Sequence, residues 1–105
     1  MKLLRVYMGE HDKYKGLSMY EYILKRCYEL GIAGATVIKG CIGYGRKRHI
    51  HRDDFFNLSG DLPIIIEIID SKEKIQEIRN EIEQLPFDGI IIAQDVDATI
   101  KENIK

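Results

Sequence analysis

The sequence has no long apolar run, and this absence restricts the kind of protein it can encode. No segment approaches the roughly 18 consecutive apolar residues that characterise a membrane-spanning helix. The first residues, MKLLRV, do not contain an apolar stretch long enough for a secretory signal peptide. We therefore expect a cytoplasmic protein that does not insert into a membrane.

An excess of charge of one sign is also lacking. Lysine and arginine number 16 and aspartate and glutamate 17, so the formal net charge is −1 at pH 7. Proteins that coat nucleic acid neutralise many phosphates and carry a clear positive excess. The composition therefore disfavours nucleic acid as a general partner, and any basic patch must be local.

Cysteine is scarce, with two residues in the chain. Cellular thiols keep such a pair reduced in the cytoplasm, which argues against a disulfide. Cys27 falls on the apolar stripe of a predicted helix, and Cys41 lies near the end of a predicted strand. We expect both cysteines to have structural roles.

The apolar residues that are present recur with two different periods. Stripes spaced three and four residues apart predict two helices, one from Ser18 to about Gly31 and one from Asp70 to just before Pro86. At both starts a capping residue is followed three positions later by glutamate, the pattern of a capping box. Apolar segments, alternating with period two in the first, predict strands over residues 3–8, 35–42, 62–69 and 88–96.

The resulting element order is β-α-β-β-α-β in a single domain spanning residues 1–105. A chain of this length supports one hydrophobic core. Right-handed crossovers in both β-α-β units then give an α+β, ferredoxin-like sandwich, in which two helices pack on a four-stranded antiparallel sheet.

Both faces of this sheet are predicted to be covered. Ile64, Ile66 and Ile68 share one face of the third strand, yet Ile65 and Ile69 on the other face are equally apolar. Two helices cover only one face, so the other needs a second cover. A neighbouring copy of the chain is the simplest cover, and we expect a homo-oligomer. The long loop or the C-terminal tail is the alternative cover.

The strongest chemical signal lies in a loop predicted at residues 43–60. The loop begins with Gly43 and Gly45 and continues with RKRHIHR, which carries positive charge and no acid. Glycine lets backbone N–H groups approach an anion closely, and arginine and lysine add charge-assisted hydrogen bonds to phosphate oxygens. A phosphate-bearing ligand is the first hypothesis. A glycine bulge leading into a solvated basic loop is the alternative.

Other chemistries stay open for the same loop. His49 and His51 would project to one side of an extended segment and could bind a metal together with His11 or Asp53. The same two histidines are the candidates for a general base in an enzyme, but no nucleophile stands at a recognisable spacing from a base. We therefore predict no catalytic residue and no enzyme activity. A nucleic-acid-binding loop would use the charges of residues 46–52.

Several motifs resemble those of known signalling proteins. The run ELGIAGATV at residues 29–37, GYGR at residues 43–46 and the Leu62-Pro63 pair resemble the PII (nitrogen regulatory) signal-transduction proteins. The wider pattern GExDKxKG, GIAGATV, GYG, IH and LSxDLPIIIE resembles the small prokaryotic family known as domain of unknown function 190, itself PII-like. This second resemblance extends over nearly the whole chain.

The resemblance implies a homotrimer that binds adenine nucleotides in clefts between subunits, at the base of the loop. Residues 85–89 replace the glycine- and lysine-containing phosphate loop of PII proteins, so AMP or ADP is expected rather than ATP. No other cofactor is implied. The nucleotide-binding residues predicted on this basis are Thr36, Gly43, Tyr44, Gly45 and Arg46, to which Lys47 is added for its charge.

The function predicted from the sequence is therefore that of a PII-like binding protein. A nucleotide would order the loop at residues 43–60 and change its fit to a regulated partner protein, whose identity the sequence does not give. A metal-binding module using the loop histidines and a nucleic-acid-binding domain are the alternatives. The residues predicted to face a partner or ligand are Arg48, His49, His51 and Arg52.

Overall fold

The structure, a computed structural model, describes residues 1–45, the backbone of residues 50–52, and residues 61–104. Two helices and eight strands occur in these ranges. The helices are α1 (Met19–Glu29) and α2 (Lys72–Glu83). The strands are β1 (Lys2–Gly9), β2 (Lys13–Tyr14), β3 (Leu17–Ser18), β4 (Gly34–Lys39), β5 (Ile42–Tyr44), β6 (Ile50–Arg52), β7 (Pro63–Asp70) and β8 (Ile90–Asp95).

Four of the strands form the main sheet, in the order β4-β7-β1-β8. All three neighbouring pairs are antiparallel. Helix α1 packs over β4 and β7, and α2 packs over β1 and β7, so both helices lie on the same face. The architecture is the α+β, ferredoxin-like sandwich that the element order predicts.

The core lies between the helices and the sheet, and alternation along the strands produces it. Every second side chain of β1 and β7 points toward the helices, and each helix contributes one apolar stripe. None of the core residues exposes more than 5% of its surface. They are Leu4, Val6, Met8, Met19, Ile23, Cys27, Ile64, Ile66, Ile68, Ile75, Ile78 and Ile82.

The predicted capping boxes are wrong in detail at both helices. Ser18 is the N-cap residue of α1, but its side chain accepts no capping hydrogen bond. The N-cap of α2 is Ser71, one residue later than predicted, and its hydroxyl accepts a hydrogen bond from Lys74 N at 3.4 Å. Asp70 remains the last residue of β7, where its carboxylate accepts from the backbone N–H of Ala33 at 2.8 Å.

The strand predicted at residues 35–42 is divided into two. Strand β4 ends at Lys39, the chain turns at Gly40, and β5 starts a separate ribbon by pairing with β6. This two-stranded ribbon lies partly inside the segment that the sequence predicts as a loop. A second small ribbon, β2 with β3, lies between β1 and α1. Lys15 and Gly16 connect it with φ values of 50° and 82°.

Truncation of Ile66 tests the core. Ile66→Ala removes a side chain with 0% exposure from the middle of β7, and such truncations cost about 2–5 kcal/mol of unfolding free energy. Ile104→Ala, at a residue that is 90% exposed, should cost less than about 0.5 kcal/mol. Urea unfolding at one protein concentration, followed by circular dichroism, measures both changes. Equal losses would contradict this core.

The two cysteines are expected to differ in reactivity. Burial is the main cause that raises the pKa of the Cys27 thiol to about 11, so little thiolate forms there at pH 8. Cys41 is exposed between β4 and β5. Iodoacetamide at pH 8 should therefore modify Cys41 in the native protein and Cys27 only after unfolding. Mass spectrometry of the digested chain measures this, and equal labelling rates would argue against a buried Cys27.

Candidate functional site

Four of the predicted nucleotide-binding residues are described, and they lie in or near strands β4 and β7 at one edge of the main sheet. Thr36 is exposed in the middle of the edge strand β4, opposite Glu67 of β7. Gly43 and Tyr44 belong to β5, and Gly45 follows them. Gly43 lies against the start of β7, because a Cβ built on it would be 3.6 Å from Pro63 Cβ.

Thr36 and the glycines are near the same strand but at different points along it. Glu67, opposite Thr36, and Pro63, beside Gly43, are separated by roughly 13 Å at the usual rise of a strand. Within one chain, these residues form two parts of a surface and not one compact pocket. A ligand that contacts both parts must extend along the β4 edge of the sheet.

The basic part of the predicted site lies outside the described residues. This applies to Arg46, Lys47, Arg48 and His49, and to Asp53. For His51 and Arg52 only the backbone is described, in β6. There His51 pairs with Gly43 and Arg52 with Ile42. The ribbon thus brings the backbone of the IH motif beside the first glycine of the GYG motif.

The face of the main sheet that the helices leave uncovered is called the open face here. Its residues align across the four strands in successive rows. One row is apolar and contains Ile38, Ile65, Tyr7 and Ile90. Ile38, Ile90 and Ile92 remain 39%, 49% and 38% exposed, which is unusual for aligned isoleucines in a sheet.

An ion pair occupies the centre of the open face. Arg5 Nε donates to Glu67 Oε2 at 2.8 Å, and each side chain is about one-third exposed, at 33% and 34%. The hydrogen bond to Glu67 raises the pKa of the Arg5 guanidinium above its ordinary value. Thr36 lies opposite Glu67, and Ile92 lies opposite Arg5. This row therefore combines Thr36, a predicted nucleotide-binding residue, with a fixed pair of charges.

A turn at residues 9–11 contacts both ends of the segment that contains the ribbon. Glu10 N donates to Leu62 O at 2.9 Å, and His11 N donates to Asp61 Oδ1 at 2.9 Å. The Glu10 carboxylate forms an ion pair with Lys39 Nζ at 2.5 Å. The hydrogen bond from Lys39 lowers the pKa of Glu10, and the same contact raises the pKa of Lys39.

The structure gives no metal site in its described part. The predicted additional ligand His11 has its Nδ1 atom 4.0 Å from Asp61 Oδ1, and its side chain is 59% exposed. Residues 1–45 and 61–104 contain no group of three or more side chains that could hold a metal ion. Since the side chains of His49 and His51 are not described, the metal hypothesis stays an untested prediction.

A groove of about 260 Å³ lies between the two helices, beside the small ribbon of β2 and β3. Its charged lining groups are bonded to each other, because Arg26 donates to both Glu81 carboxylate oxygens at 2.8 and 3.1 Å. Arg26 also donates to Glu29 at 2.9 Å.

No described helix is long and apolar enough to cross a membrane.

Sequence reasoning missed the roles of Glu10, Lys39 and Asp61. Glu10 and Asp61 do occur in the GExDKxKG and LSxDLP motifs, so the signal was present in the resemblance. The role of these residues could not be found from the sequence, because Glu10 and Lys39 become neighbours only when β7 lies between β1 and β4. Strand order is a tertiary property that residue spacing does not encode.

Two curated relatives match most of the chain. A protein described as UPF0166 protein from Aquifex aeolicus is 38% identical over 96 residues, which cover 91% of this chain and 90% of the relative. A UPF0166 protein from Methanocaldococcus jannaschii is 42% identical over 95 residues, covering 90% and 87% of the two chains.

Solved structures of low identity share the fold. CPII, a nitrogen regulatory PII-like protein from Thiomonas intermedia K12 bound to ADP, AMP and bicarbonate, superposes with a TM-score of 0.65 at 14% identity, covering 93% of each chain. CutA1 from Pyrococcus horikoshii gives a TM-score of 0.62 at 18% identity, covering 94% of this chain and 86% of CutA1. These likenesses concern the fold alone.

A family model agrees with the relatives and with the fold. The model of DUF190, a family described as Uncharacterized ACR, matches residues 1–98. This range includes every helix and strand of the structure. The chain, with its PII-like fold, therefore belongs to the DUF190 family.

Proposed function

We propose that the chain is a homotrimeric, PII-like binding protein that takes up AMP or ADP at the base of the segment 43–60 and regulates a partner protein. The observation that carries the proposal is the position of the glycine-bearing strand β5. It lies against Pro63, at the end of an open face whose apolar row is suited to contact with another copy. Binding is proposed here, and not catalysis.

The open face supports the homotrimer. Its apolar side chains are aligned and exposed to water, which is unfavourable. Burial of these isoleucines against a second copy would lower the free energy. A copy placed there would also meet the edge of the sheet that carries Thr36 and β5. The two parts of the site that one chain keeps apart could then contribute to clefts between subunits.

The structure describes only some of the residues of the predicted nucleotide site. Thr36 would contact the adenine side, and the backbone of Gly43, Tyr44 and Gly45 would approach the ribose and phosphates. Arg46 and Lys47, which lie outside the described residues, would add positive charge beside the phosphates. The likeness to CPII, whose structure contains ADP and AMP, supports this choice of ligand.

The segment before β8 supports a ligand with few phosphates. Phe87 N donates to Leu85 O at 3.0 Å, which makes a tight turn. A Cβ built on Gly89 would lie 2.3 Å from Tyr7 O, so this glycine is needed for close packing against β1. Residues 85–89 contain no lysine or arginine to neutralise a third phosphate. AMP or ADP therefore fits the segment better than ATP.

Regulation would follow from a difference in ligand affinity. A nucleotide shifts a population of conformations only when it binds one of them more tightly than the others. The residues proposed to contact the partner, and to change that contact when the nucleotide binds, are Arg48, His49, His51 and Arg52. These residues are polar and basic, so a protein surface with acidic groups is the complementary partner.

The assembly can be tested by placing a charge on the open face. Wild-type chain should have a mass in solution of about three times 12.2 kDa. Ile92→Lys adds a second cation opposite Arg5 and should give monomers, whereas Leu24→Lys, at a helix position of similar exposure, should leave the trimer intact. Light scattering after size-exclusion chromatography measures the masses. A monomeric wild-type chain would refute the trimer.

The ligand can be tested by thermal shift and calorimetry. ADP or AMP at about 100 times its dissociation constant should add roughly 2.7 kcal/mol of stability, a shift of several degrees in Tm. Arg46→Ala should remove most of this shift. Arg79→Ala, which removes an arginine from α2, should keep it. No shift with either nucleotide in the wild-type chain would exclude the proposed ligand, and a full shift in Arg46→Ala would exclude the proposed residue.

A further inference from the structure

We propose that the turn at residues 9–11 is a clamp that holds the two ends of the segment 41–60 together, and that Glu10 is a positioning residue for the ligand site at β5. The ligand part of this inference rests on the proposed function. Glu10 would not touch the ligand. It would act through Lys39 and Gly40, which come shortly before the ribbon, and through the chain that returns at Asp61.

The clamp holds the returning end by two backbone donors. Glu10 N bonds to Leu62 O and His11 N bonds to Asp61 Oδ1, each at 2.9 Å. Gly9 is fitted closely to the same carboxylate, since a Cβ built on it would lie 2.7 Å from Asp61 Oδ2. Any larger residue at this position would displace Asp61. The returning chain is therefore fixed to the end of β1 before β7 begins.

The clamp holds the departing end by a side chain. The Glu10 carboxylate reaches across the start of β7 to Lys39 Nζ, at the end of β4. The Glu10 side chain is only 18% exposed, whereas that of Lys39 is 54% exposed. An ion pair with one partly buried partner is less screened by water and salt than a pair with two exposed partners. Glu10 therefore connects the end of β1 with β4, although these two strands are not hydrogen-bonded to each other.

Contacts between Gly40, the residue after β4, and Pro63 of β7 complete the arrangement. Gly40 N donates to Pro63 O at 2.8 Å, and a Cβ built on Gly40 would lie 2.9 Å from Pro63 Cγ. Pro63 is also the residue against which Gly43 packs. The departing chain, the returning chain and β5 thus converge on Leu62 and Pro63. Fixing this point in advance reduces the ordering that a ligand must impose when it binds.

The clamp also explains motifs that the ligand site does not use. The GE pair of GExDKxKG supplies the close-packed glycine and the carboxylate, and the DLP triplet supplies Asp61, Leu62 and Pro63. None of these residues is among those proposed to touch a nucleotide. A role in holding the base of the segment accounts for them with contacts that the structure contains.

The test compares the isosteric variant Glu10→Gln with wild type in two measurements. Hydrogen exchange followed by NMR should be about threefold or more faster at the amides of Glu10, His11 and Gly40, because releasing Lys39 loosens the base. The amide of Val96, which donates to Met1 O at the opposite end of the sheet, should be unchanged. Calorimetry should give an ADP dissociation constant raised about three- to fivefold.

Two further variants separate positioning from a general loss of stability. Asp95→Asn removes the negative charge from an ion pair with Lys2, of 3.0 Å at the opposite end of the sheet, and should leave ADP affinity at the wild-type value. The charge swap E10K with K39E should restore at least half of the affinity that Glu10→Gln loses. Restoration by the swap would show that the loss in Glu10→Gln comes from the missing ion pair with Lys39, and Asp95→Asn shows whether an ion pair lost elsewhere has the same effect.

The outcomes distinguish the clamp from the proposed function. Unchanged exchange at all three amides in Glu10→Gln overturns the clamp. Faster exchange with an unchanged dissociation constant overturns the positioning role, as does an equal loss of affinity in Asp95→Asn. If wild-type chain binds neither ADP nor AMP, the proposed function and the positioning role both fail, and the exchange rates still decide whether the clamp exists.

Discussion

Alternation of side chains along β7 is the constraint on which the rest of the structure depends. Ile64, Ile66 and Ile68 point to the helices and are fully buried, so their neighbours in sequence must point away from them. β7 pairs with β1 on one side and with β4 on the other, which extends the same division into two faces across the sheet. A shift of one residue in register would exchange the two faces. The core, the open face and the placement of Thr36 all follow from this register.

Much of the fold could be predicted because its signals are periodic and local. The apolar stripes of α1 and α2 and the alternating faces of β1 and β7 identify the core residues. The division of the strand predicted at residues 35–42 was missed because apolar residues occur on both sides of Gly40, whereas this glycine packs against Pro63 and separates β4 from β5. The ribbon of β5 with β6 was missed because each of its strands has only three residues, too few to show a period of two. The sequence predicts Asp70 as a cap, whereas its carboxylate accepts from the backbone N–H of Ala33, a contact that depends on the tertiary structure.

The candidate site divides in the same way between local and long-range signals. Its glycines and its basic charges are evident in the sequence, and the placement of Gly43 against Pro63 agrees with a role at the base of the segment. The Glu10–Lys39 pair could not be found from spacing, since its partners are separated by α1 and meet across β7. Resemblance identified the motifs that contain Glu10 and Asp61, but only the sheet order shows what those motifs hold together.

The ion pair between Arg5 and Glu67 has a consequence for which surfaces the open face can bind. A sheet face made only of isoleucine would adhere to almost any apolar surface, including unfolded chains and the wrong side of another copy. With a charged pair at its centre, any contact that excludes water must also satisfy a guanidinium and a carboxylate, or lose several kcal/mol of solvation per ion. An unmatched surface thus meets a penalty where a matched one does not. Arg5 and Glu67 therefore favour contact of the open face with surfaces that carry complementary polar groups.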